Sequence, residues 1–278
     1  MTRPCHILVR DREGYPYAEL MAGLSAHGLT PQPLTRATPD PRAVLVTWTP
    51  WRGGLADRVG SAHASRGGDW IVCENGYLGG KNHVAMGRAG YNGWGVATPT
   101  GRPPDRFETL ELKIEPWRES GEHILVIGQA GGTDHRFTMP LDWPDKVIEC
   151  LRRLTNRPII YRPKPTRPEP LASDWSDVTT ADRHVTLDEL FEGAHAVVVY
   201  NSKVAGYALL KGVPVLYDAA HCALSALYLR GLDSLENPPQ PDRWPFFCDL
   251  AYAQRSRAEI ASGAAFSYLL SEEVRCAS

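Results

Sequence analysis

The chain has 278 residues, enough for two domains of roughly 100–200 residues each, and its 43% hydrophobic and 22% charged residues can build packed cores. Thirty basic residues against 32 acidic ones give a net charge of −2, which excludes an overall basic nucleic-acid-binding protein and leaves only a local patch for such a partner. Six scattered cysteines favour a reducing cytoplasm over a zinc site or a disulfide framework, and the longest apolar stretch, near Ala194–Tyr200, is too short to cross a bilayer.

The first half of the chain alternates strand and helix patterns. Short β-rich runs predict strands, and apolar residues at helical spacing predict helices between them. The predicted strands are 6–10, 42–48 and 70–73, and the predicted helices are 15–28 and 55–65. This alternation indicates a parallel sheet covered by helices. The turn-rich segment Thr98–Pro104 cannot sustain a long helix and predicts the boundary between the halves.

The second half repeats the alternation, and a tail with a helical pattern follows it at 247–270. The predicted strands are 123–127, 158–162, 196–200 and 213–217, and the predicted helices are 145–154, 187–191 and 204–210. In an open parallel sheet, ligands bind beyond the carboxyl ends of the strands. The turns after Ile127, Arg162 and Tyr200 are therefore the first places to look for a site.

A glycine-rich turn, Gly128–Asp134, follows the first of these strands and contains Gln129, Gly131 and Thr133. Glycines let a backbone approach a ligand closely and present N–H groups to anions. The pattern matches neither the dinucleotide-binding fingerprint nor the phosphate-binding loop with its lysine. A tight turn between a strand and a helix is the alternative interpretation.

Two further turns carry cations or small polar groups. Arg162 and Lys164 alternate with prolines, which fix the backbone and hold both cations outward on a stiff loop, an arrangement suited to a diphosphate. Asn201 and Ser202 lie between a buried strand and a helix that includes Gly206, and the N–H groups at a helix start can bind phosphate. A solvated basic loop and a plain N-cap role for Ser202 are the alternatives.

In the first half, acidic residues follow the predicted strand ends. Glu74 opens a glycine-rich loop and can act as the general base for an acceptor hydroxyl, while Asp11 and Glu13, after the first strand, are secondary candidates. The segment Tyr91–Gly95 adds aromatic and amide groups of the kind that stack on sugars or bases. An ordinary acidic turn residue and an aromatic ring that serves packing are the alternatives.

Several of these segments together resemble the donor half of capsular-polysaccharide-type glycosyltransferases of the GT-B fold. The resemblance rests on Gly128-Gln129 after a strand, on a strand leading to Arg-Pro-x-Pro, and on a pattern made by Asn201, Ser202, Gly206, Ala208, Leu209, Gly212, Pro214 and Val215. Those families usually carry His-Pro where this chain has Lys164-Pro165, so the phosphate contact differs here.

The tail, with Leu250–Gln254, Glu259, Ile260 and Gly263, is similar to the C-terminal segment of bacteriophage-type glycosyltransferases, some of which act on hydroxymethylated pyrimidines in phage DNA. The resemblance covers roughly residues 122–263. It implies an α/β fold with two Rossmann-like domains facing a central cleft and a C-terminal helix that crosses back to the first domain. The implied division is 1–118 for the acceptor, 119–245 for a nucleotide sugar and 246–278 for the tail.

The resemblance also implies the chemistry, which is transfer of a sugar from a nucleotide sugar, expected to be a UDP-sugar, to a hydroxyl group. Glu74 or Asp11 would take the hydroxyl proton. The predicted donor-binding residues are Gln129, Gly131, Thr133, Arg162, Lys164, Asn201, Ser202 and Gly206, and the predicted acceptor-binding residues are Asn75, Tyr77, Lys81, Asn92 and Trp94. The lack of a clear D-x-D motif favours a mechanism without a bound metal, and no tightly bound cofactor is expected.

The expected acceptor is 5-hydroxymethylcytosine or another hydroxymethyl pyrimidine in phage DNA, which would place the protein in the host cytoplasm. Five cations of the first half could supply a local basic face: Arg52, Arg58, Arg66, Lys81 and Arg88. Two alternatives stay open. One is the same chemistry on a glycan or a lipid-linked saccharide, and the other is a non-catalytic nucleotide-sugar-binding protein.

Overall fold

The structure is a computed structural model that describes residues 3–34, 39–48, 54–88, 101–131, 139–166, 170–217 and 229–271. The chain divides into two compact units. The first unit is Met1–Leu110 together with Phe247–Ser278, and the second unit is Glu111–Phe246. Among the described residues, no helix combines the length and the hydrophobicity that a membrane span requires.

Strands and helices alternate along most of the described chain. The strands are β1 (Arg3–Leu8), β2 (Leu29–Pro33), β3 (Val44–Trp48), β4 (Asp69–Asn75), β5 (His83–Arg88), β6 (His123–Ile127), β7 (Ile159–Arg162), β8 (Val178–Thr180), β9 (Ala194–Val199), β10 (Val215–Tyr217), β11 (Leu229–Arg230) and β12 (Gln254–Ser256). The α-helices are α1 (Tyr17–Ala26), α2 (Leu55–Ala64), α3 (Asp105–Glu108), α4 (Trp143–Leu154), α5 (Leu187–Phe191), α6 (Val204–Leu210), α7 (Trp244–Tyr252), α8 (Arg257–Ala261) and α9 (Ala264–Leu269).

The first unit contains a six-stranded sheet in the order β2-β1-β3-β4-β5-β12. Strands β1 to β4 run parallel, whereas β5 is antiparallel to both of its neighbours, β4 and β12. The apolar runs in β3 and β4 are buried on both faces, as the centre of a parallel sheet requires. One face packs against α1, α8 and α9 through a core that includes Leu20, Leu24, Ile260 and Phe266.

The strands and helices predicted in the first half are confirmed as β1, β3, β4, α1 and α2, but β2 and β5 were not predicted. Strand β2 contains Pro31 and Pro33, which weaken any strand pattern in the sequence. The strand forms nevertheless, because β2 lies at the edge of the sheet, where a proline can lack the N–H group that would bind a second neighbouring strand.

The tail was predicted to be helical throughout, and this is wrong at its centre. Between α7 and α8 the chain forms β12, which pairs antiparallel with β5. The reason is tertiary, because the buried Gln254 side chain binds the backbone of Tyr77 and Leu78. The tail therefore belongs to the first unit, where it contributes to the sheet and to the helical layer. The GT-B resemblance implied a return of the C-terminal helix to the first domain, without the strand.

The second unit contains a six-stranded sheet in the order β8-β7-β6-β9-β10-β11, with every pair parallel. In chain order this is 3-2-1-4-5-6, the strand order of a Rossmann domain. The predicted strands and helices of this half are confirmed as β6, β7, β9, β10, α4, α5 and α6. The two short strands β8 and β11 at the edges were not predicted, since three and two residues are too few to show an alternation.

Candidate functional site

The strand order of the second unit creates a crevice at one edge of its sheet. From β6 the chain moves to β7 and β8 on one side and then crosses to β9 on the other side. In open α/β sheets, ligands bind at the carboxyl ends of the two strands that flank such a reversal. Here those strands are β6, which ends at Ile127, and β9, which ends at Val199.

Gln129 and Asn201 meet across this crevice, each two residues beyond the end of its strand. The Gln129 Nε2 group donates a hydrogen bond to Asn201 Oδ1 at 2.5 Å. In return, the backbone N–H of Asn201 donates to Gln129 Oε1 at 3.3 Å. Two of the predicted donor-binding residues, 72 positions apart in the chain, are thus brought together at the reversal point.

Arg162 belongs to the same group of side chains. Residues alternate between the two faces of a strand, and Tyr161 and Val198 belong to the core cluster that packs with α4. Arg162, the last residue of β7, therefore points to the opposite face, as do Ile127 and Val199, which lie in register with it and precede Gln129 and Asn201 by two residues. Neighbouring strands lie about 4.8 Å apart, so the three polar side chains share one narrow edge.

Two N–H donors of this group are buried and unpaired. Within the described part of the chain, neither Arg162 Nε nor Asn201 Nδ2 has a hydrogen-bond partner. Burial lowers the pKa of the Arg162 guanidinium, and no carboxylate contributes to offset that effect. Leaving a buried donor unsatisfied costs about 1–3 kcal/mol, and more for a charged group. Donors in this state, at an edge where ligands bind, suit an anionic ligand rich in acceptor oxygens.

The glycine at the start of the turn has a packing reason that the sequence could not show. A Cβ atom at Gly128 would lie 2.6 Å from the hydroxyl oxygen of Tyr161, which is too close for any side chain. The Gly128 N–H also donates to the carbonyl of Arg162 at 2.8 Å. Gly128 thus lets the ends of β6 and β7 stay paired immediately beside the crevice.

Ser202 lies at the same edge, but the N-cap of α6 is Lys203, so the interpretation of Ser202 as the N-cap residue is wrong by one position. Its Oγ atom accepts a hydrogen bond from the backbone N–H of Val204, the first residue of α6, at 3.3 Å. Helix α6 has only seven residues, and Gly206 is buried within it. A contact between Ser202 or Gly206 and a ligand therefore stays a prediction.

The remaining predicted donor residues differ in their placement. Gly131 is buried and forms an isolated parallel bridge with Met139, so the turn after β6 is tied to the segment before α4. Lys164 is exposed in the turn after β7. Thr133 lies outside the described residues. Direct contact of Gly131 and Lys164 with a ligand also stays a prediction.

In the first unit, the two candidate bases lie at the carboxyl edge of the parallel strands. Glu74 is the penultimate residue of β4, and its Oε1 atom accepts hydrogen bonds from the backbone N–H and from the side-chain amide of Asn75 at 2.8 and 2.9 Å. Asp11 is exposed, three residues beyond the end of β1. Because only β3 separates β1 from β4, the two segments lie about 10 Å apart, at two strand spacings.

The predicted acceptor-binding residues are placed in three different ways. Asn75 and Lys81 are exposed at the carboxyl edge of β4 and in the short 3₁₀ turn before β5. Tyr77 is only 3% exposed, and its contact with an acceptor stays a prediction. Asn92 and Trp94 lie outside the described residues.

The cations that were expected to form a basic face lie at different edges of the sheet. Arg88 ends β5 at the amino edge of the parallel strands, where it forms an ion pair with the buried Asp69, which also binds Arg3 at 2.5 Å. Arg66 lies in the turn before β4, near the same edge, and donates to a backbone carbonyl. Lys81 lies at the opposite, carboxyl edge.

Arg58 is exposed on α2, and Arg52 lies outside the described residues. The described cations therefore do not share one face, which corrects that expectation.

A polar cavity of about 610 Å³ beside β5 and β12 was not anticipated. Arg106 donates to both carboxylate oxygens of Glu259 at 2.6 and 3.0 Å, and to the carbonyls of Ala251 and Gln254. Burial would raise the pKa of Glu259, but Arg106 and the cap residue Ser256 lower it to about 2. Since these groups already satisfy one another, the cavity wall is a structural network.

Gln254 and Arg257, which were not among the predicted site residues, tie the tail to loops at the carboxyl edge of the first unit. A single glutamine and a single arginine in a helical pattern carry no local signal of such a role. The half-buried polar pair Gln129–Asn201, in contrast, could be found because glycine-rich and Asn-Ser turns follow strong strand patterns.

Two solved structures are similar to this chain over nearly its whole length. The beta Kdo 2,4 transferase of KpsC from Thermosulfurimonas dismutans matches with a TM-score of 0.64 and 12% sequence identity, covering 92% of this chain and 92% of that chain. The beta Kdo 2,7 transferase of KpsC from the same organism matches with a TM-score of 0.57 and 11% identity, covering 96% of this chain and 100% of that chain.

No protein-family model matches the sequence, and the search of curated proteins found no match either. At identities of 11–12%, the likeness to the two structures concerns the fold alone. The fold of this chain is thus an α/β fold of two Rossmann-like units with glycosyltransferases of the GT-B class as its structural neighbours, which confirms the predicted fold class.

Proposed function

We propose that this protein is a glycosyltransferase that transfers a sugar from a nucleotide sugar, a UDP-sugar, to a hydroxyl acceptor. The observation that carries the proposal is the pair of buried, unpartnered N–H donors of Arg162 and Asn201 at the reversal point of a Rossmann sheet. The similarity in fold to two Kdo transferases supports the same reaction class.

The second unit binds the donor in this proposal. The Gln129–Asn201 pair fixes the orientation of both side-chain amides, which leaves Asn201 Nδ2 directed at the ligand. Arg162 supplies a positive charge for the diphosphate, and Lys164, two residues further along the chain, supplies a second one. When the bond between sugar and phosphate breaks, negative charge develops on the leaving diphosphate, and these pre-positioned donors stabilise it. Thr133, Gly131, Ser202 and Gly206 complete the predicted donor site.

The first unit supplies the base in this proposal. A carboxylate, Glu74 or Asp11, accepts the proton of the acceptor hydroxyl while its oxygen attacks the anomeric carbon and the diphosphate leaves. Both carboxylates lie at the carboxyl edge of β1 to β4, where the first unit would also hold the acceptor. Asn75 and Lys81, the two predicted acceptor-binding residues that are exposed at this edge, would contact the acceptor. In this proposal, the transfer reaction proceeds without a bound metal ion.

The donor site is tested by ligand binding to Arg162→Ala, with Arg183→Ala as a matched control from an exposed loop of the same unit. Wild-type protein should gain thermal stability with UDP or a UDP-sugar, because a ligand that binds only the folded state stabilises it. Arg162→Ala should weaken the affinity for UDP about 10- to 150-fold, since a charge-assisted hydrogen bond contributes about 1.5–3 kcal/mol. The control should bind like wild type.

A wild-type protein that binds none of the nucleoside diphosphates or nucleotide sugars would overturn the proposal. Equal losses of UDP affinity in Arg162→Ala and Arg183→Ala would show that Arg162 does not belong to the donor site.

Transfer separates an enzyme from a protein that only binds the donor. Glu74→Gln and Asp11→Asn should both retain UDP affinity, and the variant that lacks the base should lose transfer about 10²- to 10⁴-fold. Wild-type protein that binds UDP but neither hydrolyses nor transfers the sugar of any nucleotide sugar would establish the non-catalytic alternative instead.

The proposal leaves two classes of acceptor to compare, a base in DNA and a saccharide. A hydroxymethyl pyrimidine in DNA is the acceptor expected from the resemblance of the tail, but the described cations of the first unit do not form the basic face that was its physical argument. A saccharide hydroxyl requires no such face. Assays with hydroxymethylated DNA and with saccharide acceptors, in parallel, therefore belong in the same transfer experiment.

A further inference from the structure

Arg257, the first residue of α8, binds three separate segments of the first unit. Its Nε atom donates to the carbonyl of Lys81 at 3.2 Å, and its Nη2 atom donates to the carbonyl of Gly14 at 3.2 Å. Its Nη1 atom forms an ion pair with Glu19 at 2.7 Å and approaches the carbonyl of Tyr15 at 3.5 Å. One guanidinium thus links the turn before β5, the loop after β1 and the start of α1.

The backbone that carries this guanidinium is held from both sides. Before Arg257, Ser256 pairs with His83 in the sheet and is the N-cap of α8. The Ser256 Oγ atom accepts a hydrogen bond from the Glu259 N–H, and the Glu259 carboxylate accepts one from the Ser256 N–H. After Arg257, Ile260 packs on α1 so closely that a Cβ atom at Gly23 would lie 1.7 Å from the Ile260 carbonyl oxygen. Arg257 therefore projects from a fixed base.

Of the segments that Arg257 binds, the loop after β1 contains the candidate base Asp11, and the turn before β5 ends the segment that follows the candidate base Glu74. The loop after β1 contains Asp11 and reaches Gly14, whose φ of +89° requires glycine in this conformation. The segment from Glu74 to Lys81 leaves β4 at the same carboxyl edge. Loops without such a tie open readily, whereas a charge-assisted contact to each loop restricts both at once.

We propose that Arg257 is a positioning residue, which sets the loop of Asp11 and the segment that follows Glu74 in register for the acceptor without touching it. This inference rests on the proposed function, because it presupposes that the carboxyl edge of the first unit holds the acceptor. A misplacement of about 1 Å far from the reacting atoms can cost about 10²-fold in rate, so loss of the tie should reduce kcat.

The test compares Arg257→Ala and Arg257→Lys with Arg42→Ala, which removes an exposed arginine of the same unit that pairs only locally with Asp40. In Arg257→Ala, backbone amides of 10–15 and of 76–82 should both exchange hydrogen faster, while those of β3 and β4 stay protected. The kcat of transfer should fall about 10- to 100-fold, with the KM of the donor and the UDP affinity unchanged. Arg257→Lys, which keeps the charge beside Glu19, should recover part of kcat, and it also serves if the alanine variant does not fold.

Faster exchange in only one of the two segments, or in neither, would overturn the inference. So would faster exchange in both segments with an unchanged kcat. Failure of the proposed function has a different signature, since wild-type protein would then show no transfer at all.

Discussion

Buried polar groups without partners occur in two different settings in this protein. Arg162 Nε and Asn201 Nδ2 lie at the carboxyl edge of a sheet, where a ligand can satisfy them. His63, on α2, is fully buried, and among the described residues its ring nitrogens make no hydrogen bond of good geometry, although the backbone of Pro39 and Ala43 lies within reach. Its ring packs directly on Gly68, where a Cβ atom would lie 2.3 Å from Nε2. The first setting suits binding, and the second makes folding sensitive to pH.

Burial lowers the pKa of His63 below its ordinary value. The nearby carbonyls of Pro39 and Ala43 act in the opposite direction without offsetting it, and the positive charges of Arg66 and Arg3 lower the pKa further. The neutral ring is therefore the form that the folded state favours.

We expect the free energy of unfolding to decrease as the pH falls from 7.5 to 5.5. In the unfolded chain His63 takes up a proton near pH 6.5, whereas in the folded protein it stays neutral to lower pH, so each protonation favours unfolding. The contribution of His63 is at most about 1.4 kcal/mol per pH unit below 6.5. Urea unfolding at pH 7.5, 6.5 and 5.5 measures it.

His63→Gln should reduce this pH dependence, and His184→Gln, a change at an exposed histidine, should leave it as in wild type. Equal pH dependence in wild type and His63→Gln would show that other groups, such as His6 on the neighbouring β1, account for the loss.

At the scale of elements, the sequence pattern predicted most of the interior strands and failed at the edges of both sheets and at β5, next to the edge strand β12. β3, β4, β6 and β9 are buried on both faces, so their apolar runs are long enough to recognise. β12 has only the residues Gln254, Arg255 and Ser256, and its strand partner lies about 170 residues earlier in the chain. Only the folded first unit can direct such a segment into a strand, which is why the tail had the pattern of a continuous helix.

We expect Gln254→Ala to destabilise the first unit by about 3 kcal/mol or more. The Gln254 side chain is 1% exposed, accepts from the N–H groups of Tyr77 and Leu78 at 2.8 and 2.9 Å, and donates to the Leu78 carbonyl at 3.0 Å. Removing it leaves three buried backbone groups unsatisfied, at about 1–3 kcal/mol each. Chemical unfolding followed by tryptophan fluorescence measures the change.

Gln240→Ala is the matched control, since Gln240 is exposed and makes one hydrogen bond, to the Arg118 carbonyl. A loss of less than about 1 kcal/mol in Gln254→Ala would mean that water replaces the glutamine and that β12 is held by its strand pairing alone.

At the scale of the whole molecule, the two units differ in how much of their chemistry the sequence could predict. In the second unit, strong strand patterns precede Gln129, Arg162 and Asn201, and the rule that ligands bind beyond strand ends was sufficient to group them. In the first unit, the edge strands and the tail supply the contacts that shape the loops, and these depend on partners far away in sequence. The proposed base and acceptor residues there are correspondingly less sharply defined than the proposed donor site.

The net charge of −2 and the placement of the described cations lead to the last prediction, which concerns the acceptor. Arg88 is paired with Asp69 at the amino edge, Arg66 lies near that edge, and Lys81 lies at the opposite one, so phosphates along a duplex could not contact them together. We therefore expect no retention on a DNA column at 50 or at 200 mM salt. Each phosphate contact would add about −0.9 to the slope of log K against log salt for a duplex. Retention at 50 mM that is lost by 200 mM, with a slope of about −3 or steeper, would contradict this expectation and make hydroxymethylated DNA the first acceptor to assay.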